Sequence, residues 1–467
     1  MSASRSATKT SKNIAPKVPT KTTPELKLPD SSDGYDEIVI DIVGNVDSGK
    51  SSLCGILSHP LLRDDLKKSN SSFFSVETKS FENIEQNLPD EFRDVLDDGN
   101  GSARSRVMTL KHEQATGRTS SISYHYMVFD VCKPRPRIVS LVDLAGHEQY
   151  LKTTITGVIS SYPEHGLVLV AKNITHMTRE HYSILASMGI PVLFVMTKID
   201  IVPDKIVNEN IKKITTMSKR FGKSLMEIKN VDDIHTCLGD GKTFGFVRVS
   251  NKTGVGIPIL VEYVRYIKKK PKNFIAGFAI DRVYYNITGF GIVTSGINGT
   301  TIKKGDSMVM GPFDGNLFIP VKIRYIHDDY RNFVDVLPPG SRGCLCIRFD
   351  AAFKSSIRMG MVITHKKSDV HSVKKFEAHV AIFRGKSSNI KVGYNSYINV
   401  GLTRGAINFT RIRDKETGED LELLNTSRHA HVDLEFMSGH SCLNVNDRFL
   451  FRSHRTHGIG KVVAVVE

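Results

Sequence analysis

Gly44-Asn45-Val46-Asp47-Ser48-Gly49-Lys50-Ser51 fits the spacing G-x-x-x-x-G-K-[ST], and its flanks decide how it is read. The Ile- and Val-rich run Glu37 to Val43 before it predicts a strand, and Ser52 to Leu57 after it predicts a helix. A glycine-rich turn between strand and helix lets successive backbone N–H groups point inward around phosphate oxygens, and the helix N-terminus adds its dipole. Gly44, Asn45, Val46, Asp47, Ser48, Gly49, Lys50, Ser51 and Ser52 are therefore the expected phosphate-binding residues. Lys50 is expected to bridge β- and γ-phosphates, and the Ser51 hydroxyl to ligate Mg²⁺.

Three more loops follow predicted strands. Asp143-Leu144-Ala145-Gly146 closes Ile138 to Val142; a carboxylate there holds an Mg²⁺-bound water, and the Gly146 N–H reaches the γ-phosphate. Thr197-Lys198-Ile199-Asp200 closes Val192 to Met196. An aspartate at that point accepts from guanine N1–H and the N2 amino group. Adenine offers neither donor and would leave a buried Asp200 unpaired, at a cost of about 1–3 kcal/mol. Thr197 stands where such loops usually begin with Asn. Ser250-Asn251-Lys252 ends the last strand and is expected over the base, so Thr197, Lys198, Asp200, Ser250, Asn251 and Lys252 form the expected guanine set. Between the first two loops, Glu113 to Ser121 holds the hydroxyl expected to ligate Mg²⁺ when GTP orders the segment. Thr119 is the choice, with Thr116 and Ser120 as alternatives. His147, next to Gly146, is the expected catalytic residue, orienting the attacking water.

Working outward, residues 1–33 hold six basic and three acidic side chains with almost no large apolar ones, and read as a disordered basic tail. Short apolar runs at Glu37 to Val43, Ile138 to Val142, Leu167 to Val170, Val192 to Met196 and Phe246 to Val249 alternate with helix-length stretches. That pattern predicts a mostly parallel α/β sheet over residues 34–270. Ser121 to Val131 reads as an alternating edge strand, and Pro271 marks the end of a helical stretch. Beyond it, short alternating strands punctuated by Gly, Asn and Asp predict two all-β barrels, 274–370 and 371–467. Residues 61–96 contain no legible motif, though Phe92, Val95 and Leu96 suggest a short helix.

Bulk composition narrows the class. The longest apolar runs are about six residues against the roughly 20 of a membrane span, so no membrane association is expected. Six scattered cysteines with no CxxC give neither a disulfide framework nor a zinc site and fit a reducing cytoplasm. Cys344 and Cys346 share one strand face and read as core, and His454 and His457 sit in a predicted loop. A net charge of +15 favours a polyanionic partner, with 26 basic against 18 acidic residues in 275–467; the alternative is a basic balance that only aids solubility.

With these residues in hand, the chain resembles the translational GTPases, the group of elongation factor Tu and eukaryotic elongation factor 1-alpha. Within it, the GTP-binding protein 1 and 2 subgroup is the nearer likeness. Val46 to Ser51 looks like the group's V-D-[HS]-G-K-[ST], and Asp143 to Glu148 resembles D-x-P-G-H with Ala145 in place of proline. His112-Glu113 with Gly117 to Ser121, Tyr150 to Thr154, Gly289 to Gly296, Ile302 to Asp306, Ser355 to Met361 and Asp447 to Arg452 carry the likeness to the subgroup. It implies a GTP- and Mg²⁺-dependent hydrolase that switches between GTP and GDP states. In that reading His147 is catalytic on the ribosome, tRNA or other RNA is the partner, and a monomer is expected. Arg118 departs from the apolar residue the elongation factors keep there. A regulatory GTPase of RNA surveillance or decay is the alternative; a sulfurylase subunit of the same architecture fits the histidine and threonine loops less well.

Overall fold

The structure is a computed structural model. It describes residues 35–59, 95–129, 135–270, 272, 274–330, 332–382, 389–425, 429–453 and 457–466. The basic tail 1–33, most of the 61–96 segment with Phe92, and also Pro271 and His454, lie outside the described residues.

The first unit is a seven-stranded sheet: β1 (Asp36–Gly44), β2 (Ser123–Phe129), β3 (Arg137–Asp143), β4 (His165–Val170), β5 (Val192–Met196), β6 (Ser224–Glu227) and β7 (Thr243–Arg248). The order is β2-β3-β1-β4-β5-β7-β6. Only the edge strand β2 runs antiparallel, with Ser123 opposite Asp143. Helices α1 (Lys50–Leu57), α2 (Ser102–Ser105), α3 (Lys111–Thr116), α4 (Leu151–Ser161), α5 (His176–Ser187), α6 (Asp204–Lys219), α7 (Val231–Asp240) and α8 (Ile257–Tyr266) complete it.

Strands buried on both sides explain the apolar runs, which only the buried Asp41 and Ser140 interrupt. Ile38, Ile40 and Ile42 face a core shared with Leu53 and Ile56 of α1 and Leu260 and Val264 of α8. Val43, Val142, Val168 and Val170 face Ile155 and Val158 of α4 and Leu185 of α5. Each such side chain stabilises the fold by about 1.5–3 kcal/mol. Because β1, β3, β4, β5 and β7 are parallel, their carboxyl ends share one edge of the sheet. The strand order reverses at β1, and ligands bind at such a point.

Two closed barrels follow. In the first, the strands Ser307–Phe313, Val362–Thr364, Phe278–Ile287, Gly291–Asn298, Arg342–Arg348 and Leu317–Asp328 pair in ring order, and the last pairs back to the first. In the second, Lys375–Ile382, His429–Phe436, Thr403–Asp414, Asn395–Val400, Arg448–Arg452 and His457–Val466 close likewise. Strict inward-outward alternation along Lys375–Ile382 and His429–Phe436 fills the interior with Phe376, Val380, Val432 and Leu434. Closure leaves no free edge along these six strands.

Several expectations need correction. Val95 and Leu96 lie in a turn rather than a helix, with Val95 buried in the core beside α1. The helical stretch before Pro271 ends at Tyr266. β6, Ser-Leu-Met-Glu, is too short and too polar to carry a strand signal. His457 opens the final strand instead of sitting in a loop. Cys344 and Cys346 do share a face, but Leu345 between them is the residue in the barrel core. On their face, opposite that of Leu345, Cys346 is buried as expected and its thiol donates to the Phe290 carbonyl at 3.0 Å, while Cys344 is half-buried. Among the described residues no helix is long and apolar enough to cross a membrane.

Candidate functional site

The parallel sheet brings its four loops to one cavity of about 400 Å³. Val46, Lys50, Ser51, Asp97, Arg118, Thr119, Gly146, His147, Lys198, Asp200, Asn251 and Lys252 are among the residues that line it. Gly44 enters the P-loop at φ 154° and Gly49 leaves it at φ 85°, a conformation that favours glycine at the start of α1. The Lys50 ammonium donates to the carbonyls of Gly44 (3.2 Å) and Asn45 (2.8 Å), and burial lowers its pKa against the opposing charge of Asp143. Gly146 packs directly on this lysine: a β-carbon there would meet the ammonium and lie 2.7 Å from the Gly44 carbonyl.

Three oxygens converge beside it. Ser51 Oγ donates to Asp143 Oδ2 at 2.6 Å, Thr119 Oγ1 donates to the same oxygen at 3.2 Å, and the two hydroxyls stand 2.8 Å apart. Two hydroxyl protons thus serve three oxygen–oxygen contacts. Asp143 Oδ1 is buried with no hydrogen-bond partner, and burial raises the pKa of this carboxyl. An oxygen-rich cluster short of protons, with an orphaned carboxylate oxygen, fits a hard divalent cation such as Mg²⁺. Of the three candidate hydroxyls only that of Thr119 reaches the cluster. Thr116 bonds back to the His112 carbonyl, and Ser120 bonds to Glu113.

The Thr119 loop is held from behind. Glu113 Oε1 accepts from the backbone N–H groups of Ser120 (2.8 Å) and Ser121 (3.1 Å) and from both hydroxyls (2.9 Å each). Burial raises the Glu113 pKa, but these four bonds outweigh it and leave the value lowered. His112 Nε2 adds a 2.7 Å contact to Ser120 Oγ. The sequence marked His112-Glu113 as a family hallmark without a role; the hydroxyl-rich stretch seven residues on was the signal for one.

On the base side, Asp200 Oδ1 accepts from Ser250 Oγ at 2.7 Å, and that hydroxyl in turn accepts from the N–H groups of Lys252 and Thr253. Asp200 is exposed, not buried as expected, so its second oxygen remains open to the cavity mouth. Asn251 Nδ2 donates to the Gly49 carbonyl at 3.2 Å. Thr197 is buried and turned away from the cavity, its hydroxyl donating to the Ser48 carbonyl at 2.8 Å. It acts as a strap between the two loops. Asp97 joins the set unforeseen, its N–H donating to the Asn251 carbonyl at 2.9 Å.

His147 caps the short turn Glu148–Tyr150: Nδ1 accepts from the Gln149 N–H at 3.1 Å, which places the ring proton on Nε2. Arg118, exposed, lines the same mouth. Ser48 does not line this cavity, its Oγ turned to the Asn45 carbonyl at 2.8 Å, whereas Ser52 does reach its wall.

A family model described as the elongation factor Tu GTP binding domain matches residues 36–269, half of the chain. GTP-binding protein 1 of Xenopus laevis is 27% identical over 464 residues; the match covers 92% of this chain and 64% of that protein, so the chain spans less than two thirds of its length. Elongation factor 1-alpha of Staphylothermus marinus is 25% identical over 409 residues, covering 84% and 85% of the two chains. The GTP-bound GTPase-like domain of S. cerevisiae Ski7 superposes with a TM-score of 0.65 at 15% identity, covering 92% of this chain and 98% of that one, a likeness of fold.

Proposed function

The chain belongs to the elongation factor Tu GTP-binding domain family, and on that premise we propose that it hydrolyses GTP as a Mg²⁺-dependent switch acting on the ribosome. Three units, 34–270, 274–370 and 371–467, are assigned to it. The observation that carries the reading is that Thr119 and His147, from two different loops, line one cavity, with Asp143 buried behind its wall and bonded to Thr119. Gly44 to Ser52 cradle the phosphates, Lys50 leaves its two carbonyls to meet the β- and γ-oxygens, and Asp200 with Ser250 takes the guanine edge. Ser51, Thr119 and, through a water, Asp143 hold the cation, which when bound neutralises charge building on the phosphate oxygens. His147 orients the attacking water through its Nε2 side, and Thr119 and Gly146 lose their shared ligand once the γ-phosphate leaves.

An RNA partner is supported by the outer face of the first barrel. Phe290, Tyr325, His327 and Phe333 form one ring cluster with centroids 4.1–6.2 Å apart. Lys304 and Arg324 lie over Tyr325 at 5.6 and 5.8 Å. Phe333 is exposed and the other three rings are half-buried; surface aromatics rimmed by cations stack unpaired bases and attract backbone phosphate. Arg118 at the cavity mouth favours the second reading, a regulatory GTPase of RNA surveillance or decay. GTP turnover with and without ribosomes, with ATP as control, separates them. Ribosome stimulation lost in His147→Ala is expected; turnover indifferent to ribosomes rejects the translational reading.

A further inference from the structure

The outer wall of the second barrel carries a second group of ligand-type side chains, separate from the nucleotide loops. On Lys375–Ile382, Phe376, Ala378 and Val380 point into the core, so Glu377 and His379 share the outer face. On His429–Phe436 the same alternation turns His431 and Asp433 outward. The antiparallel register sets Glu377 opposite Asp433 and His379 opposite His431. Two imidazoles and two carboxylates thus occupy the corners of one cross-strand quadrilateral. His431 Nε2 lies 2.6 Å from Glu377 Oε2, and the two imidazole rings stand 5.1 Å apart. One ligand atom from each of Glu377, His431 and Asp433 falls within 4.8 Å of the others. The adjacent strand supplies Arg413, which bonds Asp433 through Nη2 and lies 3.7 Å from Glu377, so the two carboxylates share one guanidinium.

We propose that Glu377, His379, His431 and Asp433 bind a divalent cation of the zinc class on this wall. Imidazole nitrogen with carboxylate oxygen suits zinc and its neighbours rather than magnesium or calcium, which prefer oxygen alone. Ligands at about 2.1 Å in a tetrahedron stand roughly 3.4 Å apart, so Glu377, His431 and Asp433 close by little more than an ångström, and the His379 ring, 5.1 Å from that of His431, turns in as the fourth ligand. Side-chain rotation supplies that movement while the strands stay fixed. The cation takes the place of the Arg413 charge, and the guanidinium turns outward to solvent. Arg413 is therefore a competitor for the site, and a purely structural ion-pair network would not behave that way.

The test uses the full-length protein, stripped with chelator and loaded with GDP and Mg²⁺ so that the nucleotide cavity is engaged. Zinc chloride is titrated in competition with a chromophoric chelator, and cobalt(II) absorption reports the geometry. One ion per chain is expected, with affinity at least tenfold weaker in His379→Ala and in His431→Gln. The second variant keeps a donor toward Glu377 and so preserves the local fold. Arg413→Gln is expected to tighten binding about tenfold. Equal zinc affinity in the parent and both histidine variants overturns the proposal, as does an affinity that Arg413→Gln leaves unchanged or weakens.

Discussion

Glu113 gathers four hydrogen bonds on a single carboxylate oxygen, and the loop that carries Thr119 depends on them. Glu113→Ala strands two backbone N–H groups and the Ser121 hydroxyl, while Ser120 Oγ keeps only His112, so a loss of about 1–3 kcal/mol is expected, read as a lowered unfolding midpoint in urea. Hydrogen exchange at 117–121 should quicken in the same variant. Because the folded-state pKa of Glu113 is lowered, its contribution is full above the ordinary carboxylate value of 4.5 and is lost as pH falls through the folded value. Asp447 has the opposite sign: burial raises it from 3.8 to about 6, ahead of the lowering bond from the Asn444 N–H. Its charge therefore weakens the fold as pH rises through that window. Asp447→Asn should raise the melting temperature at pH 7.5 and lose the gain near pH 4; a gain equal at both values rejects the account. Thr197→Val removes the strap to Ser48 and should weaken GDP binding about fivefold, roughly 1 kcal/mol, in a fluorescent-nucleotide titration. Single residues were legible where the chemistry is local, as for Lys50 and Ser51. Thr197 and Asp200 were not, because burial and facing depend on chain segments 50 to 150 residues away.

Elements were legible in proportion to their apolar content. β1, β3, β4 and β5 are predominantly apolar runs and stand within two residues of where the sequence put them, whereas β6 gave no signal and β7 begins three residues early. On the strand Arg342–Arg348 the reading of the cysteine pair as core is right for Cys346, which is buried, and not for the half-buried Cys344. That strand also supplies Arg342, which no motif singled out. Both of its Nη atoms donate to the Ser160 carbonyl near the end of α4, at 3.1 and 2.9 Å, and its cation lies 5.6 Å over Tyr124. The helix end would otherwise leave that carbonyl unpaired. Arg342→Ala should cost about 2–4 kcal/mol and open the junction between the sheet unit and the first barrel to limited proteolysis; a variant with parental stability and cleavage pattern would show the contact to be idle.

At the scale of the whole molecule, three units meet around Tyr162. Its ring packs with Phe274, Ala279 and Ile297 of the first barrel unit and Leu402 of the second, while Leu450 of the second barrel joins the sheet core. Gly401 takes φ 53°, and a methyl group there would fall on the Tyr162 hydroxyl. Gly401→Ala should destabilise the assembled chain by about 1–3 kcal/mol, with Tyr162→Phe restoring part of the loss; no rescue in the double variant would place the cost in the backbone alone. None of this docking could be read from the sequence, since each contact joins segments that carry no shared pattern. Both attachments, Arg342 to Ser160 and Gly401 to Tyr162, lie at the far end of α4, whose near end follows the turn Glu148–Tyr150 that His147 caps and whose Thr154 holds the Ala145 carbonyl at 2.7 Å. Eleven residues make a lever about 16 Å long. A tilt of about 10° at the His147 end would carry the other by roughly 3 Å, well past the reach of a 2.9 Å hydrogen bond. The barrels would then register a displacement near the phosphates as a contact kept or broken, with no graded middle.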